Sequence, residues 1–165
     1  MLSRWQVRIE ASRSSCPVLL SNGNAVRKET VGADRHAVTW DDPFPKPSYL
    51  FALVAGDLRE IRDHYTTASG RQVTLRLHVE EGDEPFTAHA MASLKRSMQW
   101  DESVYNLEYD LDEYNIVAVR HFNMGAMENK SLNIFNSKLV LADAETATDA
   151  EPVSYTHLRA HETDR

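Results

Sequence analysis

The residues best suited to chemistry are consecutive: Gly125-Ala126-Met127-Glu128-Asn129. Small residues in an extended segment let another backbone approach closely, and a peptide could pair with such an edge as an added strand. Glu128 would then lie near the end of that pairing, where a carboxylate can bind a substrate ammonium through a charge-assisted hydrogen bond. The segment therefore predicts a site that recognises the free N-terminus of a peptide.

The same residues also have a plainer structural interpretation. A glycine in a strand usually marks a bulge or a turn, and a glutamate that follows it is usually solvated. Short motifs carry a general risk of false positives. The pentapeptide taken alone therefore favours a bulged strand with a surface acid. The sequence on either side of it must decide between this interpretation and the peptide-binding one.

Strands are predicted on both sides of the motif, at residues 114–119 and 132–135. Earlier, residues 65–67 and 72–79 flank Ser69-Gly70 and predict a hairpin. Apolar and polar residues alternate along residues 72–79, as they do in a strand with one buried face.

One helix is predicted between these pairs of strands. Asp83 can cap it and Pro85 is tolerated in its first turn, and the helix should end near Asp101. Apolar residues recur every four positions along one face, namely Phe86, Ala90, Leu94 and Met98. The order β-β-α-β-β predicts an α+β arrangement for this part of the chain.

The first part of the chain predicts β-structure. Residues 17–20 precede Asn22-Gly23, a hairpin signal because both residues tolerate positive φ. Further strands are predicted at residues 36–40 and 49–55, the second of the buried type. Between them, residues 42–47 carry three alternating prolines and predict an extended connector. We expect a domain boundary near residue 56.

Composition limits the classes of function. The 165 residues include 18 Lys and Arg against 25 Asp and Glu, a net charge of −7. This argues against nucleic-acid binding, which calls for a basic patch. Cys16 is the only cysteine, so no internal disulfide or Cys-rich zinc site can form, and a reducing, cytoplasmic location is expected. The longest apolar run, residues 49–55, is far short of the roughly 20 residues that span a membrane.

The motif and its flanks resemble the zinc aminopeptidase N family, in its bacterial alanyl aminopeptidase branch. The exopeptidase signature Gly-Ala-Met-Glu-Asn lies within residues 123–130. The resemblance covers residues 8–150, through PVLLSNGN at 17–24, DPFPKP at 42–47, YLFALVAGD at 49–57, WD at 100–101, EYDLD at 108–112 and SLNIFNSK at 131–138. This ordered set is far more specific than the pentapeptide alone.

The resemblance implies a domain organisation. Residues 1–56 would be the end of a β-sandwich domain, and residues 57–150 the β-rich first lobe of a thermolysin-like catalytic domain. The fold class expected is therefore mixed β and α+β. The family removes N-terminal residues, often alanine or basic ones, from peptides with a free N-terminus, and it uses a zinc-bound water.

The resemblance also implies roles for individual residues. The position of Glu128 holds the α-ammonium of the substrate, and the backbone at Gly125 and Ala126 pairs with the peptide. Met124 helps to line the pocket for the first side chain, which suits a soft, unbranched residue. The expected substrate-binding set is completed by two more residues of the motif, Met127 and Asn129.

Catalysis in that family requires H-E-x-x-H on a helix, where two histidines bind zinc and the glutamate is the general base. The sequence contains no such motif. His157 and His161 have the i, i+4 spacing, but Leu158 occupies the position of the base. Residues 153–163 instead resemble a translated cloning adapter, so residues 151–165 are expected to be a non-native tail. We therefore expect no catalytic or metal-binding residue in this chain, and no activity from the chain alone.

Two other functions stay open at this point. One is a non-catalytic relative that keeps the lobe as a binding or scaffolding module. The other is a partly folded fragment without a function of its own. An intact Glu128 favours the enzyme, because a scaffold has no need of an ammonium anchor. The genomic sequence that follows Asp149 would discriminate, because H-E-x-x-H within a few tens of residues supports the enzyme.

Overall fold

The computed structural model describes residues 2–141. These residues form two compact units, a first that ends at Leu58 and includes Asn129–Leu132, and a second that begins at Arg59. The division lies close to the predicted boundary at residue 56, and the domain identities implied by the resemblance stay predictions. No helix among the described residues is long and apolar enough to cross a membrane.

The first unit consists of two small antiparallel sheets. Its strands are β1 (Ser3–Ser12), β2 (Val18–Ser21), β3 (Asn24–Val31), β4 (Arg35–Lys46) and β5 (Leu53–Gly56). One sheet has the order β1-β4-β3, and the other pairs β2 with β5. Apolar side chains such as Leu19, Val38 and Trp40 are buried, and the Trp40 indole N–H donates a hydrogen bond to the Leu19 carbonyl at 3.2 Å.

The hairpin predicted at Asn22-Gly23 is wrong. The strands on either side of this turn belong to different sheets, because β2 pairs with β5 and β3 pairs with β4. Gly23 has a φ of +91°, as predicted for a turn residue. However, the Asn22 side-chain oxygen accepts a hydrogen bond from the Ala52 N–H at 2.8 Å. The turn therefore passes the chain from one sheet to the other.

The proline-rich connector and the buried strand after it also differ from the prediction. Residues 42–46 continue β4. Its prolines are tolerated because β3 pairs with β4 no farther than Asp41, so one side of this stretch needs no N–H donors. Of the buried strand predicted at residues 49–55, only the end is β5. A 3₁₀ helix, Ser48–Leu50, occupies its beginning, and Tyr49 is 75% exposed.

The second unit contains a five-stranded mixed sheet in the order β6-β7-β8-β10-β9. Its strands are β6 (Arg59–Thr66), β7 (Gln72–Val79), β8 (Glu113–Val119), β9 (Ala126–Met127) and β10 (Leu132–Asn136). The predicted hairpin is confirmed as the antiparallel pair of β6 and β7. Strands β7 and β8 are parallel, so the chain between them must cross over the sheet. The predicted fold class, β-rich with an α+β second part, is confirmed.

That crossover contains the only α-helix of the described residues, α1 (Ala88–Tyr105). Of the predicted apolar face, Ala90, Leu94 and Met98 are buried and pack with residues of β7 and β8. The prediction for Phe86 is wrong, because this residue precedes α1 and is 37% exposed. Asp83 does not cap α1: a 3₁₀ helix, Glu84–Phe86, comes first, and the Asp83 carboxylate accepts a hydrogen bond from Arg120 instead. The helix also ends later than predicted, at Tyr105, and Asn106 caps it in the left-handed conformation.

The face of β7 away from α1 is polar and buried. Its Arg76 guanidinium forms ion pairs with Glu60 and Glu113. His78 lies two residues farther along, with its Nε2 3.3 Å from the Asn115 side-chain oxygen. Burial lowers the pKa of His78 below its usual value, because the imidazolium would lose its hydration.

The stability of the chain is expected to fall in mild acid because of His78. Its folded-state pKa lies below the unfolded value of about 6.5. Below that pH the unfolded chain binds a proton that the folded chain does not, so the free energy of unfolding decreases until the folded pKa is reached. The loss is at most about 1.4 kcal/mol per pH unit.

Urea unfolding at about pH 7.5 and about pH 5.5 would measure this effect. The difference between the two pH values should be larger in the parent chain than in His78→Gln, which removes only this titrating group. An equal pH dependence in both proteins would show that His78 does not contribute.

Candidate substrate-anchoring site

The predicted motif lies at one edge of the five-stranded sheet. Strand β9 is the terminal strand, and within residues 2–141 no strand pairs with its outer side. Its inner side pairs with β10, with Ala126 opposite Phe135 and Met127 opposite Ile134. An edge with this arrangement can accept an additional strand.

The register identifies which backbone groups face that open side. The Asn136 N–H donates a hydrogen bond to the Gly125 carbonyl at 2.9 Å, so Gly125 is bonded towards β10. In an antiparallel pair, hydrogen-bonded and non-hydrogen-bonded residues alternate. The next residue, Ala126, therefore directs its N–H and its carbonyl away from β10. Ala126 is the residue of the motif whose backbone can pair with a peptide.

Gly125 is exposed, and the fold itself makes little demand for a glycine there. Its φ is outside the left-handed region, and a Cβ would meet only a methyl group of Leu139, at 3.2 Å. Gly23 is the opposite case, with φ +91° and a backbone oxygen in the place of the Cβ. A Cβ at position 125 would therefore press on the end of one side chain, whereas a Cβ at position 23 would clash with backbone.

The side chains around this edge suit a binding surface. Met124 is 61% exposed, and an unbranched thioether adapts to varied partners. Met127 and Glu128 are half-buried. No side chain or backbone group within residues 2–141 forms a hydrogen bond or ion pair with the Glu128 carboxylate.

Asn129 differs from the five residues before it. It is only 3% exposed, and neither its amide nitrogen nor its amide oxygen has a hydrogen-bond partner in the described part of the chain. A buried amide without partners costs about 1–3 kcal/mol. Asn129 thus lies beneath the surface, while Met124 to Glu128 are accessible. The substrate-binding roles of all six residues stay predictions.

The next two residues were missed by sequence reasoning. Ser131 is buried with a φ of +75°, and its Oγ accepts a hydrogen bond from the Gly23 N–H at 2.6 Å. The Lys130 ammonium lies 3.6 Å from the centre of the Phe44 ring, a cation–π contact. Both residues lie in stretches that carry the resemblance, but no local pattern predicts their contacts, because serine is not favoured at positive φ and the partners are far apart in sequence.

Within residues 2–141 no group of three or more His, Cys, Asp or Glu side chains could hold a metal ion. The described histidines also lack a shared site: His78 is buried, His36 hydrogen-bonds to the Cys16 carbonyl at 2.7 Å, and the others are exposed. His157 and His161, the pair with ligand-like spacing, lie outside the described residues.

Comparisons with known proteins agree on one family. Residues 89–164 match the peptidase family M1 domain. The chain is 54% identical to aminopeptidase N of Haemophilus influenzae, 56% to that of Caulobacter vibrioides and 55% to that of Escherichia coli. Each alignment covers 162 residues, which are 98% of this chain and 19% of the relative.

A solved structure gives the same result. The crystal structure of Legionella pneumophila aminopeptidase A, in complex with aspartic acid, is similar with a TM-score of 0.90 and 38% identity. The similarity covers 98% of this chain and 19% of that one. The M1 match extends to residue 164, so it does not distinguish residues 151–165 from the rest of the domain. The non-native origin of this tail stays a prediction. This chain belongs to the M1 metallopeptidases, in the bacterial aminopeptidase N branch, and spans about a fifth of the length of those relatives.

Proposed function

We propose that this chain is the part of a zinc-dependent aminopeptidase that recognises the N-terminus of its peptide substrate. The observation that carries the proposal is the open edge of β9, followed directly by Glu128, whose carboxylate has no hydrogen-bond or ion-pair partner within residues 2–141. The 54–56% identity to three bacterial aminopeptidases N supports the same conclusion.

The backbone of β9 would align the substrate. A peptide that pairs with the outer side of Ala126 is held extended by main-chain hydrogen bonds, which are independent of its sequence. Because β9 has only two residues, the pairing fixes the first few residues of the peptide and no more. Met124, exposed beside this edge, would contact the first side chain.

Glu128 would then select the free amine. A carboxylate that accepts a hydrogen bond from an ammonium contributes about 1.5–3 kcal/mol, against about 0.5–1.5 kcal/mol for a hydrogen bond between neutral groups. An acetylated N-terminus carries no charge and gains none of this energy. The position of Glu128 at the end of β9 thus makes the site specific for chain ends, which is exopeptidase selectivity.

Zinc would supply the activated water in the complete enzyme. The described residues do not fit a zinc ion, because none of their acidic, histidine or cysteine side chains cluster as ligands would. The ligands would therefore lie elsewhere in the complete enzyme, and residues 2–141 would align the substrate and bind its ammonium. We also propose a reducing, cytoplasmic setting, which the single cysteine supports.

A chimeric enzyme would test this function. In it, residues 3–141 of this chain replace the aligned segment of Escherichia coli aminopeptidase N, which is 55% identical. We expect the chimera to hydrolyse alanyl anilide, to lose this activity on chelation of its metal, and to spare N-acetylalanyl anilide. The 165-residue chain alone should be inactive. A folded, metal-loaded chimera with no activity would contradict the proposal.

A further inference from the structure

The segment that follows Glu128 is held in a costly conformation. Within the described residues, Ser131 and Asn106 are the non-glycine residues with positive φ, at +75° and +54°. Asn106 ends helix α1, where the left-handed conformation is common. Ser131 ends no helix, and a non-glycine residue in this region is ordinarily kept only where the surrounding structure fixes it.

The Ser131 side chain is fixed by a rigid partner. Its Oγ accepts the Gly23 N–H at 2.6 Å, and both residues are buried. Gly23 cannot shift readily, because its α-carbon packs against β4 so closely that a Cβ would lie 2.1 Å from the Asp41 carbonyl oxygen. Lys130 adds a second contact to β4, through the Phe44 ring.

The chain is hydrogen-bonded on both sides of Glu128. Before it, Ala126 and Met127 pair with β10. Three residues after Glu128, the Ser131 Oγ accepts a hydrogen bond from the Gly23 N–H. The Glu128 side chain itself has no hydrogen bond within the described residues that could orient it. The backbone on either side sets the direction of its Cα–Cβ bond.

We propose that Ser131 is a positioning residue for N-terminus recognition: its hydrogen bond to Gly23 holds the backbone that aims Glu128 at the substrate ammonium. The proposal rests on the proposed function and adds a residue to it. Ser131 does not touch the substrate in this account, and it acts only through Glu128.

Variants of the chimera test this role by kinetics. Ser131→Ala should lower kcat/KM for alanyl anilide about 10-fold, through loss of one buried hydrogen bond, and should leave the slow reaction of N-acetylalanyl anilide unchanged. Ser131→Gly relieves the strain but restores no acceptor, so it should be similarly impaired. In a Glu128→Gln background, Ser131→Ala should have no further effect, because the two residues act as a unit.

Ser21→Ala is the matched control. Ser21 is also a buried serine of the first unit, and its Oγ donates to the Ala52 carbonyl at 2.8 Å. It should retain the parent kinetics. The proposal is overturned if Ser131→Ala has no effect, if Ser131→Gly behaves as the parent, if Ser21→Ala gives the same loss, or if the loss persists in the Glu128→Gln background.

Hydrogen exchange in the 165-residue chain gives a readout without activity. Ser131→Ala should speed exchange of the amides at residues 127–131 about 10-fold, while Ser21→Ala should not. Unchanged exchange in Ser131→Ala would overturn the positioning role. A parent chimera without preference for a free amine would instead contradict the proposed function, and the exchange result would still decide whether Ser131 fixes this segment.

Discussion

Glu128→Gln is expected to lower kcat/KM of the chimera for alanyl anilide by roughly 10- to 150-fold. The range follows from the roughly 1.5–3 kcal/mol that a charge-assisted hydrogen bond contributes. Glutamine preserves the size of the side chain and one carbonyl oxygen, so the substitution removes the charge and little else. The change should have little effect on folding, since the Glu128 side chain has no hydrogen bond among the described residues.

Selectivity is the decisive measurement for this variant. The ratio of kcat/KM for alanyl anilide to kcat/KM for N-acetylalanyl anilide should be much lower in Glu128→Gln than in the parent chimera. Glu81→Gln serves as the control, because Glu81 is an exposed glutamate that pairs with Arg59 at 3.2 Å. It removes the same charge from a turn outside the motif. If free and acetylated substrates lost activity equally in Glu128→Gln, the ammonium-anchor role would be wrong.

Gly23→Ala is expected to cost about 2–5 kcal/mol of stability, a large part of what a small domain has. Two penalties combine. A left-handed φ of +91° costs an alanine about 1–2 kcal/mol, and the added Cβ would lie 2.1 Å from the Asp41 carbonyl oxygen. The clash is with backbone, so β4 itself would have to move, which is overpacking of the more costly kind.

Gly32→Ala isolates the first penalty. Gly32 also has a positive φ, of +71°, but nothing lies within 4 Å of its Cβ position. Urea unfolding of the two variants should give a loss about 2–3 times larger for Gly23→Ala. Equal losses would mean that the turn relaxes away from Asp41 without cost, and would weaken the account of Gly23 as a rigid donor to Ser131.

Local signals in the sequence predicted the second unit well. The alternation along β7 and the Ser69-Gly70 turn specify a hairpin whose two strands are adjacent in sequence. The apolar repeat at Ala90, Leu94 and Met98 specifies the buried face of α1. In each case the periodicity of the element and its nearest turn carry the information, and no distant partner is needed.

The errors in the first unit have a common cause, which is pairing between distant segments. The Asn-Gly turn predicted a reversal of the chain, but β2 finds its partner β5 more than thirty positions later. The prolines at 43 and 45 predicted an extended connector outside the sheet, but β4 continues through them, because only β1 pairs with that stretch and β3 does not. A turn signal states where a chain bends and not which strands meet.

The candidate site divides in the same way. Its residues could be identified because the motif is contiguous, and the small residues and the acid have recognisable chemistry. The outward direction of the Ala126 backbone, the burial of Asn129 and the positive φ of Ser131 could not be predicted. Each depends on the register with β10 or on Gly23, which lies 108 positions before Ser131.

The two-residue length of β9 has a consequence for self-association. A long open strand edge would pair with the same edge of another copy and would promote aggregation. Two residues offer too few main-chain hydrogen bonds for that, and a strand from the middle of a folded protein brings no ammonium to Glu128. If Glu128 binds the substrate ammonium as we propose, this short edge would accept the free N-termini of peptides and would not accept strands of other folded proteins.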